Sequence, residues 1–240
     1  MCGIVGMYSQ EYDESHTELF KQIFRESQIR GRHASGISYL KGKKVVTKSE
    51  PISADEFVDK IGIPNTNIII GHCRYSTSDL EYNQPIGTKK MAIAHNGIIT
   101  QSDPENWEKR FGYKFKTKND SEIILRNLEK GKKHPLVKYK DSSMAVVAIG
   151  HKGNFKFFRN GNRPLYYHNI GEALFVASTK DILIRAFKKI TGENIEPAEC
   201  INGYQYSFGG KESRVDLIFD DYDNQQLLRC PDNYLKVEHG

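Results

Sequence analysis

No stretch of the 240-residue chain approaches the roughly 18 consecutive apolar residues that a membrane-crossing helix needs, so no membrane partner is expected. A secretory leader is not legible either. The opening MCGIVGMYSQEYDE has no basic start, and Glu11, Asp13 and Glu14 arrive before any long apolar run. With neither address present, the cytoplasm is the expected compartment. Cysteine is scarce: four residues, at 2, 73, 200 and 230, with no CxxC pair and no zinc-site spacing. In a cytosolic chain of this size they read as free thiols, and neither a metal nor a cofactor is expected. The chain lacks a Walker-type phosphate loop, a Ser/Pro/Gly-rich linker, a low-complexity tract and an internal repeat. One domain over residues 2–240 is therefore the expected organisation. Lysines cluster at Lys41, Lys43 and Lys44, at Lys114, Lys116 and Lys118, and at Lys130, Lys132 and Lys133, within a net charge of +5. They read as solvated surface. No zinc finger, helix-turn-helix or aromatic-rich RNA-recognition sequence accompanies them, so a nucleic-acid partner is not established.

What is present is a globular composition, 38% hydrophobic and 27% charged. Residues 1–8 read as an apolar strand. Leu19, Ile23 and Phe24 recur at helical spacing within 14–29, with Ser15 or Asp13 as N-cap. Residues 37–40 and 45–48 read as a hairpin around Lys41–Gly42–Lys43. Ser53–Ile61 reads as a short capped helix and 67–74 as a buried strand. Residues 91–95 and 98–100 read as two strands separated by a turn at Asn96–Gly97. Asn119 or Asp120 opens a helix to about Leu128. Strands are expected at 145–151, 155–159, 164–167 and 173–177, a helix at 180–188, and further strands within 195–219. The last twenty residues are polar and read as loosely held or as a partner surface. Strands outnumber helices and come in hairpin-connected groups, which favours an α+β sheet protein over a doubly wound one.

Four places carry chemistry. A cysteine directly after the initiator methionine becomes the first residue once Met1 is removed. Its thiol, ordinarily titrating near 8.5, then sits beside an α-amine titrating near 7.7–8.0. One residue thus supplies nucleophile and base. A buried strand cysteine is the alternative. In Gly71–Thr77 (GHCRYST) an Arg follows a buried strand, and its planar fork suits a carboxylate. A structural ion pair is the alternative. In Ala94–Gly97 (AHNG), backbone N–H groups and an Asn amide can hold an oxyanion, or simply make a hairpin turn. In Asn119–Glu122 (NDSE), Asp120 caps a helix or receives an ammonium group.

Together and in this order, CGIVG at 2–6, RGRHASG at 30–36, GHCRYST at 71–77, HNG at 95–97 and NDSE at 119–122 resemble the class II glutamine amidotransferases. The glutaminase domains of that family are N-terminal-nucleophile hydrolases. RNGNRPLYY at 159–167 and VASTKD at 176–181 are also similar to family segments, so the resemblance covers roughly residues 2–185. It implies a four-layer αββα sandwich of two mainly antiparallel sheets, and hydrolysis of L-glutamine to L-glutamate and ammonia through a Cys2 thioester. It further implies that Asn96 and Gly97 stabilise the oxyanion, Arg74 pairs with the substrate carboxylate and Asp120 holds its ammonium. Thr77 and His72 fall in the pocket-forming motif, and Arg30 and Gly31 in the loop beside the nucleophile. A separate ammonia-accepting synthase partner is the expected recipient. The alternative is a non-catalytic glutamine-binding regulatory or scaffold subunit. Two departures stand out. Arg32 and His33 replace the usual Pro and Asp, His33 reading as a surface or packing residue, and Asn160 stands where Asp is usual.

Overall fold

The computed structural model describes residues 2–76, 82–131, 142–161, 163–209 and 213–217. Thr77, Lys132, Lys133, Cys230 and the polar C-terminal segment lie outside the described residues. The chain opens with β1 (Gly3–Ser9) and the amphipathic α1 (Glu14–Ser27), which runs into a 3₁₀ turn at Gln28–Arg30. Asp13 is the cap of α1: its carboxylate accepts the Ser15 N–H at 2.7 Å. A tight hairpin joins β2 (Ala34–Lys41) to β3 (Lys44–Glu50). Ser53 caps α2 (Ala54–Lys60) by accepting the Glu56 N–H. The buried run forms β4 (Ile68–Arg74), and β5 (Ile86–Gly87), β6 (Met91–Ile98), α3 (Trp107–Phe111) and α4 (Ser121–Glu129) follow. The second half supplies β7 (Ser143–Gly150), β8 (Phe155–Asn160), β9 (Tyr166–Ile170), β10 (Ala173–Ala177) and α5 (Lys180–Thr191). It closes with β11 (Ala198–Glu199), β12 (Tyr204–Phe208) and β13 (Arg214–Leu217).

Two departures from the sequence reading have physical causes. Residues 91–98 are one continuous strand, not two strands around a turn: Asn96 pairs with Ala145 and Gly97 with Met144 in register. The Asn–Gly pair serves a close approach instead. A Cβ on Gly97 would lie 2.0 Å from the Ser143 carbonyl oxygen, and its φ of +156° suits glycine. The strand expected from Pro164 begins only at Tyr166, because proline has no N–H for the ladder.

The strands form two antiparallel sheets, of order β11-β9-β10-β1-β4-β2-β3 and β13-β12-β8-β7-β6-β5. Alternation assigns their faces. Val5, Met7, Ile69 and Phe175 face α1, α2 and α5. Ile4, Ile70, Val176, Ala94, Val147 and Phe157 meet between the sheets. Ile93, Val146 and Phe158 face α4 and Trp107. The result is the expected αββα sandwich, with each fully buried Ile or Phe contributing about 1.5–3 kcal/mol. Among the described residues no helix is long and apolar enough to cross a membrane.

Register also positions the site. Gly3 pairs with Cys73, and Ala34 with Arg74. The start of β1, the end of β4 and the start of β2 therefore share one edge of the sandwich.

Candidate active site

Three elements converge on Cys2, a free and partly exposed thiol. Its main-chain nitrogen donates to Asn96 Oδ1 at 3.3 Å, which ties the start of β1 to β6 across the sheets. Arg30 Nε donates to the Cys2 carbonyl at 2.9 Å from the 3₁₀ turn. Burial, and after it the charge of Arg163, push the Arg30 guanidinium below its ordinary value, against the opposing influence of Cys2. The other described thiols are of a different kind. Burial pushes Cys73 up to about 12 and raises Cys200 well above its usual range. Cys73 is, as its apolar setting implied, a small core residue.

The loop RGRHASG is laced to the segment after β4. Gly31 packs against it so closely that a Cβ would lie 2.2 Å from both the Arg74 carbonyl carbon and the Tyr75 nitrogen. The His33 N–H donates to the Arg74 carbonyl at 3.0 Å, and His33 Nδ1 accepts the Ser76 N–H at 2.9 Å. The side chain that replaces the usual aspartate thus offers a ring-nitrogen acceptor to the 74–76 segment. Asn160, the other departure, donates from Nδ2 to the Ser142 carbonyl at 2.9 Å, a structural contact.

Arg74 Nη1 donates to the Tyr82 carbonyl at 3.0 Å and to Asn83 Oδ1 at 2.8 Å. Asp120 does not cap α4. Its Oδ2 accepts the Ile99 N–H at 2.6 Å and the Thr100 N–H at 3.3 Å, while Asn119 Oδ1 accepts the Ser121 N–H at 3.0 Å. Arg74 and Asp120 line one cleft of about 430 Å³, with Tyr82, Asn119 and the 100–104 loop. Opposite charges on one wall set suit a zwitterion. Cys2 does not line that cleft. Its partner Asn96 lies on β6, the strand that leads to the 99–100 backbone gripped by Asp120. A larger cleft of about 630 Å³ lies beside the 31–33 loop, among Arg25, Arg32, Asp55 and Lys189. It contains neither Arg74 nor Asp120, so the smaller cleft carries the argument for the charged end of a substrate. Among the described residues no group of His, Cys, Asp or Glu is placed to hold a metal ion.

Beneath Asn96 lie two buried imidazoles. Burial, then the charges of His95 and Arg74, push His72 down to about 3, against the smaller opposing effect of a hydrogen bond with the His95 backbone. Burial pushes His95 down to about 4. Neither takes up a proton near neutral pH. Of the residues singled out from sequence, Cys2, Asn96 and Arg30 meet directly, Arg74 and Asp120 share a cleft, and Gly31 and Gly97 are close-approach points. Thr77 lies outside the described residues. Tyr82, Asn83 and Gln84 were not foreseen. They form a short loop whose only sequence signal is its polarity before Pro85.

Residues 41–200 match the sequence profile described as a glutamine amidotransferase domain. The amidophosphoribosyltransferase of Methanothermobacter thermautotrophicus is 34% identical over 139 residues, covering 54% of this chain and 29% of the relative. The glutamine–fructose-6-phosphate aminotransferase (isomerizing) of Sulfolobus acidocaldarius is 25% identical over 210 residues, covering 77% and 35%. The chain thus spans about a third of these curated relatives. Among solved structures, the glutamine phosphoribosylpyrophosphate amidotransferase of B. subtilis, complexed with ADP and GMP, superposes with a TM-score of 0.68 at 21% identity. That match covers 90% of this chain and 49% of the other, and the likeness is one of fold.

Proposed function

The chain belongs to the class II glutamine amidotransferase domain family, and from that premise we propose that it hydrolyses L-glutamine to L-glutamate and ammonia with Cys2 as nucleophile, after removal of Met1. Arg74 receives the substrate α-carboxylate and Asp120 its α-ammonium, which leaves the neutral amide to reach toward Cys2. The freed α-amine takes the thiol proton, and the thiolate attacks the amide carbon. The oxyanion accepts hydrogen bonds from Asn96 Nδ2 and the Gly97 N–H. Collapse of the tetrahedral adduct returns the proton to the departing nitrogen, releases ammonia and leaves a γ-glutamyl thioester. Water, activated by the same amine, then frees glutamate. Thr77 is assigned to the pocket wall and His72 to its buried support. Arg30, through the Cys2 carbonyl, and Gly31, through its contact with the Arg74–Tyr75 peptide, hold nucleophile and carboxylate site in place.

One observation carries this reading. Asn96 offers Oδ1 to the Cys2 nitrogen, yet its Nδ2 is buried with no partner among the described residues. An unpaired buried donor costs about 1–3 kcal/mol. A developing oxyanion beside Cys2 would satisfy it. The low basicity of His72 and His95 supports the α-amine as base, since neither imidazole accepts a proton at neutral pH.

The relatives' names pair glutamine with transferase chemistry, and we assign the ammonia to a separate synthase partner. The cytoplasm is the proposed setting, where Cys2, Cys73 and Cys200 persist as free thiols. An ammonia assay on the wild type and Cys2→Ala tests the reading: glutamine-dependent ammonia from the first alone is expected. Glutamine binding without ammonia release would instead identify a sensing subunit.

A further inference from the structure

Behind Asn96, three side chains close a hydrogen-bond circuit that the proposed chemistry does not itself use. The His95 N–H donates to Gln84 Oε1 at 2.7 Å, Gln84 Nε2 donates to Ser121 Oγ at 3.1 Å, and Ser121 Oγ lies 2.8 Å from His95 Nδ1. All three residues are more than nine-tenths buried: Gln84 is 7%, His95 1% and Ser121 1% exposed. Ser121 accepts from Gln84 and pairs with His95 Nδ1 in the direction set by the imidazole tautomer, and a neutral imidazole serves as either partner. Burial favours the same protonation state. The circuit is shut away from water, so breaking any of its three bonds leaves a further buried group unpaired, beside the His95 Nε2 that has no partner among the described residues.

The start of α4 grips β6 at a second place. Asp120, the neighbour of Ser121, accepts the N–H groups of Ile99 and Thr100. Ser121 thus fixes the residue before Asn96, and Asp120 fixes the residues that follow Ile98. Asn96 and Gly97, paired with Ala145 and Met144 in the ladder, lie between two side-chain anchors on consecutive residues. Between the anchors, Asn96 Nδ2 is buried without a partner among the described residues, and Gly97 approaches the Ser143 carbonyl so closely that a Cβ there would lie 2.0 Å from its oxygen.

We propose that Gln84 and Ser121 are positioning residues that act through His95 to hold Asn96 and Gly97 in the geometry that receives the oxyanion. The assignment deepens the glutaminase reading and rests on it. Because Asp120 and Ser121 are consecutive, the carboxylate that meets the substrate ammonium and the hydroxyl that sets the oxyanion pair move as one unit.

The test compares wild type with Ser121→Ala, Gln84→Ala and Ser121→Thr, the last of which keeps the hydroxyl. Three quantities are measured: steady-state glutamine hydrolysis, alkylation of Cys2 by a haloacetamide, and amide hydrogen exchange over residues 95–98. Alkylation is a displacement at carbon that forms no oxyanion, so it reports the thiol alone. In Ser121→Ala and Gln84→Ala, kcat is expected to fall about 10- to 100-fold, as a misplacement near 1 Å does, with KM within about threefold. The alkylation rate should stay unchanged, and exchange at 96–98 should rise about tenfold. Ser121→Thr should recover most of kcat. Unchanged kcat in both alanine variants overturns the proposal, as does a parallel loss of alkylation, which would mean that the nucleophile itself had been disturbed. Unchanged exchange at 96–98 overturns it whatever the activity. A wild type that hydrolyses no glutamine sinks the glutaminase reading instead, and the exchange measurement still decides whether the circuit anchors the strand.

Discussion

Replacing Asn96 by alanine separates chemistry from stability, because the two effects differ in size. The substitution removes a single long hydrogen bond, from the Cys2 nitrogen to Oδ1 at 3.3 Å. Such a bond contributes about 0.5–1.5 kcal/mol. It also removes Nδ2, a buried donor without a partner among the described residues, whose desolvation costs about 1–3 kcal/mol. The two terms oppose each other, so global stability should change by no more than about 1 kcal/mol, or about 2–4 °C in Tm for a chain of this size. The loss in catalysis is much larger. Deleting one oxyanion donor typically lowers kcat by about 10²–10³, equivalent to about 2.7–4 kcal/mol of transition-state stabilisation. Since the ground-state amide oxygen gains little from that donor, KM should move by less than about threefold. Steady-state ammonia release with a thermal melt on the same preparations provides the assay. If Asn96→Ala keeps kcat within about threefold of wild type, or loses kcat/KM through KM alone, the oxyanion assignment is wrong.

Two further predictions concern binding and pH. Arg74→Ala should weaken glutamine binding by about 10- to 150-fold, the worth of a charge-assisted hydrogen bond of about 1.5–3 kcal/mol, as read by titration calorimetry on the Cys2→Ala background. Equal affinity would remove Arg74 from the carboxylate site and leave it holding Tyr82 and Asn83. His72 and His95 are held at about 3 and about 4 in the folded protein, below the ordinary value near 6.5. Their neutral forms are therefore favoured by folding. The associated stability is present above about pH 6.5 and is lost as pH falls toward about 4, when the unfolded chain takes up protons that the folded one does not, at up to about 1.4 kcal/mol per pH unit for each histidine. Urea unfolding at pH 7, 6 and 5 checks this, and a flat midpoint across that range would contradict it.

The sandwich was legible because its elements carry strong local signals. The apolar runs of β1 and β10, the helical stripe of α1 and the cap at Ser53 all lie where hydrophobic pattern and turn chemistry put them. Of the site, the residue types were legible and their partners were not. Asn96–Gly97 carries the strongest turn signal in its segment, yet pairing with Ala145 and Met144 overrides it. That ladder partner lies some fifty residues away in sequence, beyond any local window. Asn119 and Asp120 were both readable as the opening of α4. In the fold the Asn119 side chain accepts the Ser121 N–H, and the Asp120 carboxylate turns to the backbone of Ile99 and Thr100. The five-residue α3 was missed because it is too short to show a period. The Gln84–Ser121–His95 circuit joins positions up to 37 residues apart, and none of these residue types announces such a bond by itself. His33 was read as a surface or packing residue. Only the register of β2 against β4 shows that its ring is an acceptor for Ser76.

The proposal stands on one covalent event at one sulfur. Intact-protein and peptide mass spectrometry after acid quench of the wild type with excess glutamine reads it directly. The predicted result is an N-terminal peptide that begins at Cys2 and carries the added mass of one γ-glutamyl group, lost on hydroxylamine treatment and absent from Cys2→Ala. A mature chain that retains Met1, or ammonia released while Cys2 remains unmodified at every quench time, would contradict the account.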